Sequence, residues 1–364
     1  MISPEDIEKL IRPELKSMPA YVPIEPTAVL SRRIDVPEEK VIKLDGNENP
    51  YGCSPRVKQA LADYAYYHLY PDPEQRELRK ALQKYVGVSA ENIVAGSGSD
   101  ELIDLILRLF IQPGDGVINC PPTFGMYPFS TDICGGKVVS IPRKSDFSID
   151  VPATKKAMDK GAKVIFIASP NNPSGNLTPD PVILELLNTG AVVVIDEAYF
   201  EFSGETVAPL VPKYSNLIVL RTFSKWAGLA GLRVGYGIFP VNIVKHLMKI
   251  KQPYNINVAA QVAALESLKD INYLRGTIKA LIEERERLMT RLGQLDWLKV
   301  YPSRSNFILC SVLNGKAKVI HNGLQKRGIF VRYFDTPLLK DYLRISLGKP
   351  EHTSALIAAL QEIS

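Results

Sequence analysis

The first chemical signal in this sequence is a pair of basic residues eight positions apart (233 − 225). They stand in Arg221-Thr-Phe-Ser-Lys225-Trp-Ala-Gly-Leu-Ala-Gly-Leu-Arg233-Val-Gly-Tyr-Gly237. The apolar run 217–220 ends abruptly in Arg, Thr, Ser and Lys, as a buried parallel strand does when it delivers polar groups to a sheet edge. Lys225 sits among small and apolar residues, where losing its proton costs less than in water, and such an amine can attack a carbonyl. Arg233 offers a permanent cation whose planar donor fork suits phosphate. Alone, two such residues read as solvated charges; the other strand ends change that reading.

The apolar runs 164–168 and 191–195 end in Ser169-Pro-Asn-Asn-Pro-Ser-Gly175 and Asp196-Glu-Ala-Tyr199. Asn172, Asp196, Tyr199 and Lys225 therefore fall at or just past the ends of three strands. Burying an unpaired carboxylate is costly, so Asp196 at the end of an apolar strand calls for a cationic partner. Upstream, Ile93-Val-Ala-Gly-Ser-Gly-Ser-Asp-Glu101 runs through glycines into an amphipathic helix predicted over 102–110. Ser99 is its expected cap, and its free N–H groups form an anion site. The glycines match neither a Walker A loop nor Gly-x-Gly-x-x-Gly. A lysine amine, a carboxylate for a ring nitrogen and an anion site are together what pyridoxal phosphate requires of a protein.

Elements that position these groups follow from periodicity. Strands and helices alternate through the middle of the chain, which predicts an α/β layer with a mostly parallel sheet and functional groups at its carboxyl edge. Residues 235–239 read as a further strand, with an antiparallel direction open to it. Residues 258–295 read as helical. The remainder reads as a small α+β domain, with Arg332 and Arg344 each on a strand. Residues 1–40, rich in proline, read as a short helix and an extended arm carrying Tyr21. The expected division is an arm (1–40), a large cofactor-binding domain (41–265) and a small C-terminal domain (266–364).

Composition bounds the partners. The 364 residues are 46% hydrophobic and 23% charged, as in a globular protein with a substantial core. Net charge is +5, spread without a basic block, which argues against nucleic acid and suits small anionic substrates. The four cysteines lack metal-ligand spacing and the four histidines are far apart, so no metal site is expected, and reduced thiols point to a cytosolic-type compartment. No run approaches the ~18 apolar residues of a membrane span. The expected location is the cytoplasm, or the plastid stroma for a chain whose transit peptide has been removed.

Asp196 lies 24 residues after Asn172 (196 − 172), and Lys225 lies 29 after Asp196 (225 − 196). The order Asn172, Asp196, Lys225, Arg233 resembles the fold-type I pyridoxal-phosphate-dependent aminotransferases of class II. The resemblance covers nearly the full chain and is sharpest to the histidinol-phosphate aminotransferase family. It rests on Asn47-Glu-Asn-Pro-Tyr-Gly52, Tyr70-Pro-Asp-Pro73, Gly98-Ser-Asp-Glu-Leu-Ile103, Pro122-Thr-Phe-Gly-Met-Tyr127, Ser169-Pro-Asn-Asn-Pro173, Asp196-Glu-Ala-Tyr199 and the 221–237 stretch. Lys251-Gln-Pro-Tyr-Asn255 resembles the plant and related bacterial branch.

The resemblance implies a seven-stranded large-domain sheet flanked by helices, and a homodimer with shared sites. It implies that Lys225 holds the cofactor through its amine and acts as general base and acid, and that Asp196 pairs with the protonated ring nitrogen. Asn172 and Tyr199 would bond the ring hydroxyl, and Phe124, a tyrosine in many members, would stack on the ring. Backbone N–H groups of Ser99 and Asp100, with Ser224 and Arg233, would hold the phosphate, reached also by Tyr70 of a neighbouring subunit. Tyr21, Asn172, Arg332 and Arg344 would contact substrate. The implied reaction is ping-pong transfer between histidinol phosphate and 2-oxoglutarate, giving glutamate, in histidine biosynthesis. Threonine-phosphate decarboxylases and aromatic amino acid aminotransferases share fold and cofactor. A transcription regulator on this fold would need a DNA-binding domain, for which the proline-rich stretch before the core is unsuited.

Overall fold

The apolar runs that end in polar residues form the centre of one sheet. The structure, a computed structural model, describes residues 4–363. Its strands in chain order are β1 (Ile42–Leu44), β2 (Ile93–Gly96), β3 (Gly116–Asn119), β4 (Lys137–Ser140), β5 (Ala162–Ala168), β6 (Val192–Asp196), β7 (Leu217–Thr222), β8 (Gly235–Ile238), β9 (Leu298–Val300), β10 (Phe307–Val312), β11 (Ile329–Tyr333) and β12 (Tyr342–Ser346). Seven of them pair in the order β2-β8-β7-β6-β5-β3-β4. Strands β3 to β7 pair in parallel, and β8 runs antiparallel to both its neighbours. The expected fold-type I architecture is the observed one.

Every residue of β7 is buried, and so is every residue of β5 except Lys163. Helices cover both faces of the sheet, so these strands read as unbroken apolar runs instead of alternating. Parallel strands with helical returns put their carboxyl ends at one edge. Asn119, Asp196 and Thr222 close β3, β6 and β7 at that edge, with Asn172 and Lys225 just beyond β5 and β7. Successive side chains along a strand point to opposite faces. Glu197 and Arg221, neighbours of Asp196 and Thr222, accordingly meet elsewhere as an ion pair at 2.9 Å, each 2% exposed. The Phe200 ring lies 3.7 Å from the Arg221 guanidinium, and Glu197 also accepts the Val207 N–H at 2.8 Å. A buried pair so fully bonded locks the ends of β6 and β7 together.

The second sheet has the order β1-β11-β12-β10-β9. Arg332 and Arg344 are directly opposed across β11 and β12, so both side chains leave the same face. The structure adds detail to three readings of the sequence. Strand β1, expected in the large domain, pairs in parallel with β11 of the small sheet. The boundary expected at 265/266 falls inside the helix Val258–Lys269, which is separated from Ile271–Leu292 by Asp270 alone and so lacks any breaker signal. The arm, expected as a short helix and an extended stretch, holds three helices, Pro4–Glu8, Pro13–Lys16 and Thr27–Ile34. Pro26 precedes the last of these, where a proline is tolerated because the first-turn N–H groups have no helical partner anyway.

Candidate active site

The carboxyl edge of the large sheet, the small domain and the arm enclose a cavity of about 910 Å³. It is lined by Tyr21, Ser99, Asp100, Phe124, Asn172, Asp196, Tyr199, Ser224, Lys225, Arg233, Arg332 and Arg344. Tyr70 is the expected site residue that does not line it. Its ring is 81% exposed and stacks on Tyr254 at 4.4 Å between centroids.

Asp196 is 4% exposed and accepts hydrogen bonds from the Tyr127 hydroxyl at 2.6 Å and the Ala198 N–H at 3.0 Å. Among the described residues no cation pairs with it. Burial pushes its carboxyl up to about 6, against the pull of those two donors. The cationic partner that a buried carboxylate requires is thus left to a ligand.

Lys225 reaches from the loop after β7, with Nζ donating to the Gly46 carbonyl at 3.2 Å. Burial, helped by the charge of Arg344, lowers its ammonium to about 8. A free-base amine is therefore available near neutrality.

The helix after β2 starts at Gly98, four residues before the expected Leu102 (102 − 98), with Ser97 at the cap position. Ser99 is thus a first-turn residue and not the cap. The Glu101 carboxylate accepts the Ser97 N–H and holds the turn, a bond that apolar periodicity does not reveal. The first-turn N–H groups lack partners within the helix and carry its positive dipole end. Bare backbone shapes the cradle beside them. A Cβ on Gly98, which has φ +76°, would meet Arg233 NH2 at 2.7 Å, and one on Gly235 would lie 2.7 Å from the Ser99 nitrogen. Arg233 bonds the Asp100 carboxylate at 2.8 Å, and the Thr222 hydroxyl donates to Ser224 Oγ at 2.9 Å.

On the opposite wall Arg344 is 7% exposed and has no carboxylate partner among the described residues. Its NH1 donates to Asn172 Oδ1 at 2.6 Å and its NH2 to the Asp45 carbonyl, while Nε is buried without a partner. Burial lowers even this guanidinium, to about 10. Arg344 occupying Oδ1 leaves Asn172 Nδ2 as a donor. Arg332 is more open and donates to the Val22 carbonyl at 3.4 Å, tying the arm that carries Tyr21 to β11. Tyr21 packs edge-on against Phe129 at 6.0 Å.

Three contributors escaped the sequence reading: Tyr127, which holds Asp196, Thr222 beneath Ser224, and Asn47, whose amide donates to the Tyr199 hydroxyl at 2.9 Å. The available signal for Tyr127 was its place at the end of Pro122-Thr-Phe-Gly-Met-Tyr127, three residues after Phe124 (127 − 124). Among the described residues, no group of three or more His, Cys, Asp or Glu could hold a metal ion. The arrangement can receive a carbonyl at Lys225, a protonated ring nitrogen at Asp196 and separate anions at the helix start and at Arg344.

Known proteins resemble this chain in sequence and fold. The family described as aminotransferase class I and II matches residues 39–360. A histidinol-phosphate aminotransferase of Dehalococcoides mccartyi is 48% identical over 358 residues, 98% of this chain and 99% of its own. A chloroplastic histidinol-phosphate aminotransferase of Nicotiana tabacum is 48% identical over 357 residues, 97% of this chain and 86% of its own. The crystal structure of histidinol-phosphate aminotransferase from Sinorhizobium meliloti, in complex with pyridoxal-5'-phosphate, is similar with a TM-score of 0.89 at 26% identity, over 97% of both chains. With its fold and nearly its whole length matched, the chain belongs to the class I and II aminotransferases.

Proposed function

We propose that this protein is a histidinol-phosphate aminotransferase of histidine biosynthesis, with pyridoxal phosphate as cofactor. It moves the amino group of histidinol phosphate to 2-oxoglutarate, giving imidazole-acetol phosphate and glutamate, reversibly and by a ping-pong course. One observation carries this reading: a single cavity holds an uncompensated buried carboxylate, Asp196, and an uncompensated buried guanidinium, Arg344. Each demands a ligand charge of opposite sign. The 48% identity to relatives of that name over nearly the full chain supports the substrate.

The residues fit the cofactor. Asp196 would hold a protonated ring nitrogen, Phe124 would pack against the ring, and Tyr199 with Asn172 Nδ2 would donate to the ring hydroxyl. The Ser99 and Asp100 N–H groups, the Ser224 hydroxyl and Arg233 would bind the phosphate in the Gly98–Gly235 cradle. When bound, pyridoxal phosphate supplies an electron sink that stabilises negative charge at the substrate α-carbon. Lys225 Nζ takes the α-proton as general base and delivers a proton as general acid. The small domain and the arm, joined by Arg332, exclude water from this exchange.

Arg344 and Arg332 serve whichever anion arrives, since a guanidinium fork fits carboxylate and phosphate alike. Arg344→Ala is therefore expected to slow both half-reactions, by roughly 10- to 100-fold each, for a lost charge-assisted bond. Single-turnover rates with glutamate and with histidinol phosphate check this. An effect confined to glutamate would refute the shared-anion reading. Turnover of histidinol phosphate with 2-oxoglutarate, compared with phenylalanine as donor and with CO2 release from phosphothreonine, tests the function itself. A preference for either alternative would overturn it.

We further propose a homodimer in which Tyr70 reaches the partner's phosphate site. Tyr66, Tyr67, Leu69, Tyr70 and Tyr254 are 58, 53, 54, 81 and 47% exposed, an aromatic cluster suited to burial between subunits. Sedimentation velocity of the holoenzyme should give twice the chain mass; a single-chain mass would remove this reading. No helix among the described residues is long and apolar enough to cross a membrane. The compartment we propose is the cytoplasm, or the plastid stroma for a chain processed there.

A further inference from the structure

Asn47 lies three residues past β1 (47 − 44), 1% exposed and with φ +53°, a left-handed conformation that asparagine tolerates better than most residues. Each of its polar groups has a partner. Its N–H donates to Ser346 Oγ at 2.9 Å, and the Ser346 hydroxyl returns its proton to Asn47 Oδ1 at 2.7 Å. Its carbonyl accepts from Asn306 Nδ2 at 2.9 Å. Ser346 closes β12 and Asn306 precedes β10, so the amide is clamped by the small domain. With Oδ1 committed to Ser346, only Nδ2 can face Tyr199, to which it donates at 2.9 Å. A phenol has one proton to give. Because its oxygen accepts from Asn47, the Tyr199 proton is turned away from Asn47, toward the cavity that Tyr199 lines.

We infer that Asn47 is a positioning residue, which fixes the direction of the Tyr199 hydroxyl proton and holds it there through the small-domain serine Ser346. The inference rests on the proposed role of Tyr199 beside the cofactor's ring hydroxyl. An accepted bond also strengthens the bond the same hydroxyl donates. Asn47 thus raises the donor power of Tyr199 without touching the reacting atoms.

The test is the pH titration of the visible absorption band of the pyridoxal-phosphate-loaded enzyme, with the cofactor dissociation constant as a second readout. A bond donated to the ring oxygen favours its anionic form, so losing it raises the apparent pKa of the band. Tyr199→Phe removes the donor and is expected to raise it by about one to two units. Asn47→Asp offers only acceptors, draws the Tyr199 proton away from the cavity, and is expected to match Tyr199→Phe. Asn47→Ala leaves the proton undirected and should give an intermediate rise. Neither Asn47 change should add to the shift once Tyr199→Phe is present. Ser346→Ala releases Oδ1 while keeping Asn47, and should also give an intermediate rise. It serves where an Asn47 variant fails to fold.

Additive shifts in the double variants, or a wild-type band in Asn47→Asp or Ser346→Ala while Tyr199→Phe moves it, would overturn the inference. An unmoved band in Tyr199→Phe would remove the role of Tyr199, and the inference with it. Absence of any visible band on adding pyridoxal phosphate to the wild type would instead count against the cofactor reading.

Discussion

Replacing Lys225 with alanine is expected to lower kcat by about 10⁴-fold or more while leaving the fold intact. Lys225 is the one amine among the described residues that line the cavity. Its recorded hydrogen bond, to the Gly46 carbonyl at 3.2 Å, is long, so little structure depends on it. Chemistry does depend on it, because burial lowers its ammonium to about 8. About half the molecules then carry a free base at pH 8, against fewer than about 1% for an unperturbed lysine.

The sign for stability follows. A cationic group whose folded pKa lies below its unfolded value opposes folding at low pH, and the penalty disappears as pH rises. The apoprotein of Lys225→Ala should accordingly melt at or above the wild type at pH 6. Lys225→Arg keeps a charge but no free base, and should be as inactive as the alanine variant. Single-turnover kinetics with histidinol phosphate measure the rate, and calorimetry measures the melting. Residual turnover of about 1% in either variant would contradict the assigned role.

Asp196→Asn is expected to lower kcat by roughly 10²- to 10⁴-fold, the rate equivalent of losing a buried ion pair worth about 3–5 kcal/mol. Its apoprotein should respond in the opposite direction. Burial raises the carboxyl from 3.8 to about 6, so the folded state prefers the protonated form. That contribution is complete below about pH 4 and is lost as pH rises through about 6. A shift of about two units corresponds to about 3 kcal/mol. Asparagine stays neutral throughout, so the variant apoprotein should match the wild type near pH 4 and exceed its stability at pH 8. The holoenzyme should show the reverse order, since the ring cation that offsets the wild-type carboxylate gains nothing from an amide. Urea unfolding of apo and holo forms across this pH range is the measurement. An apoprotein variant weaker than the wild type at pH 8 would show that Asp196 is a structural carboxylate.

A stabilising substitution that destroys activity marks a site where folding and function pull apart. Asp196, Lys225 and Arg344 are all of this kind: burial disfavours the charge on each, and each faces the same cavity. Asp196 and Lys225 were visible in the sequence because a fully apolar run that stops at a polar residue is a local pattern. Arg344 was visible only by resemblance, since an arginine inside a strand of a small domain looks like a surface charge until its burial is known. The helix Thr27–Ile34 was hidden by the prolines around it, and strand β1 by being only three residues long.

The sequence by itself determined the parallel α/β layer, the residues standing at its carboxyl edge and the helix beside them, but not the residue at which that helix starts. Strand period, run length and the residue that ends a run are properties of neighbours along the chain. Only the tertiary structure decided which of these groups meet. Tyr127 reaches Asp196 across 69 positions, Asn47 reaches Tyr199 across 152, and Ser346 clamps Asn47 across 299. Partners so far apart are selected by packing and by the need to satisfy buried polar groups, which no local preference encodes. The same packing faces Arg332 and Arg344 across β11 and β12 and turns the Tyr199 proton toward the cavity.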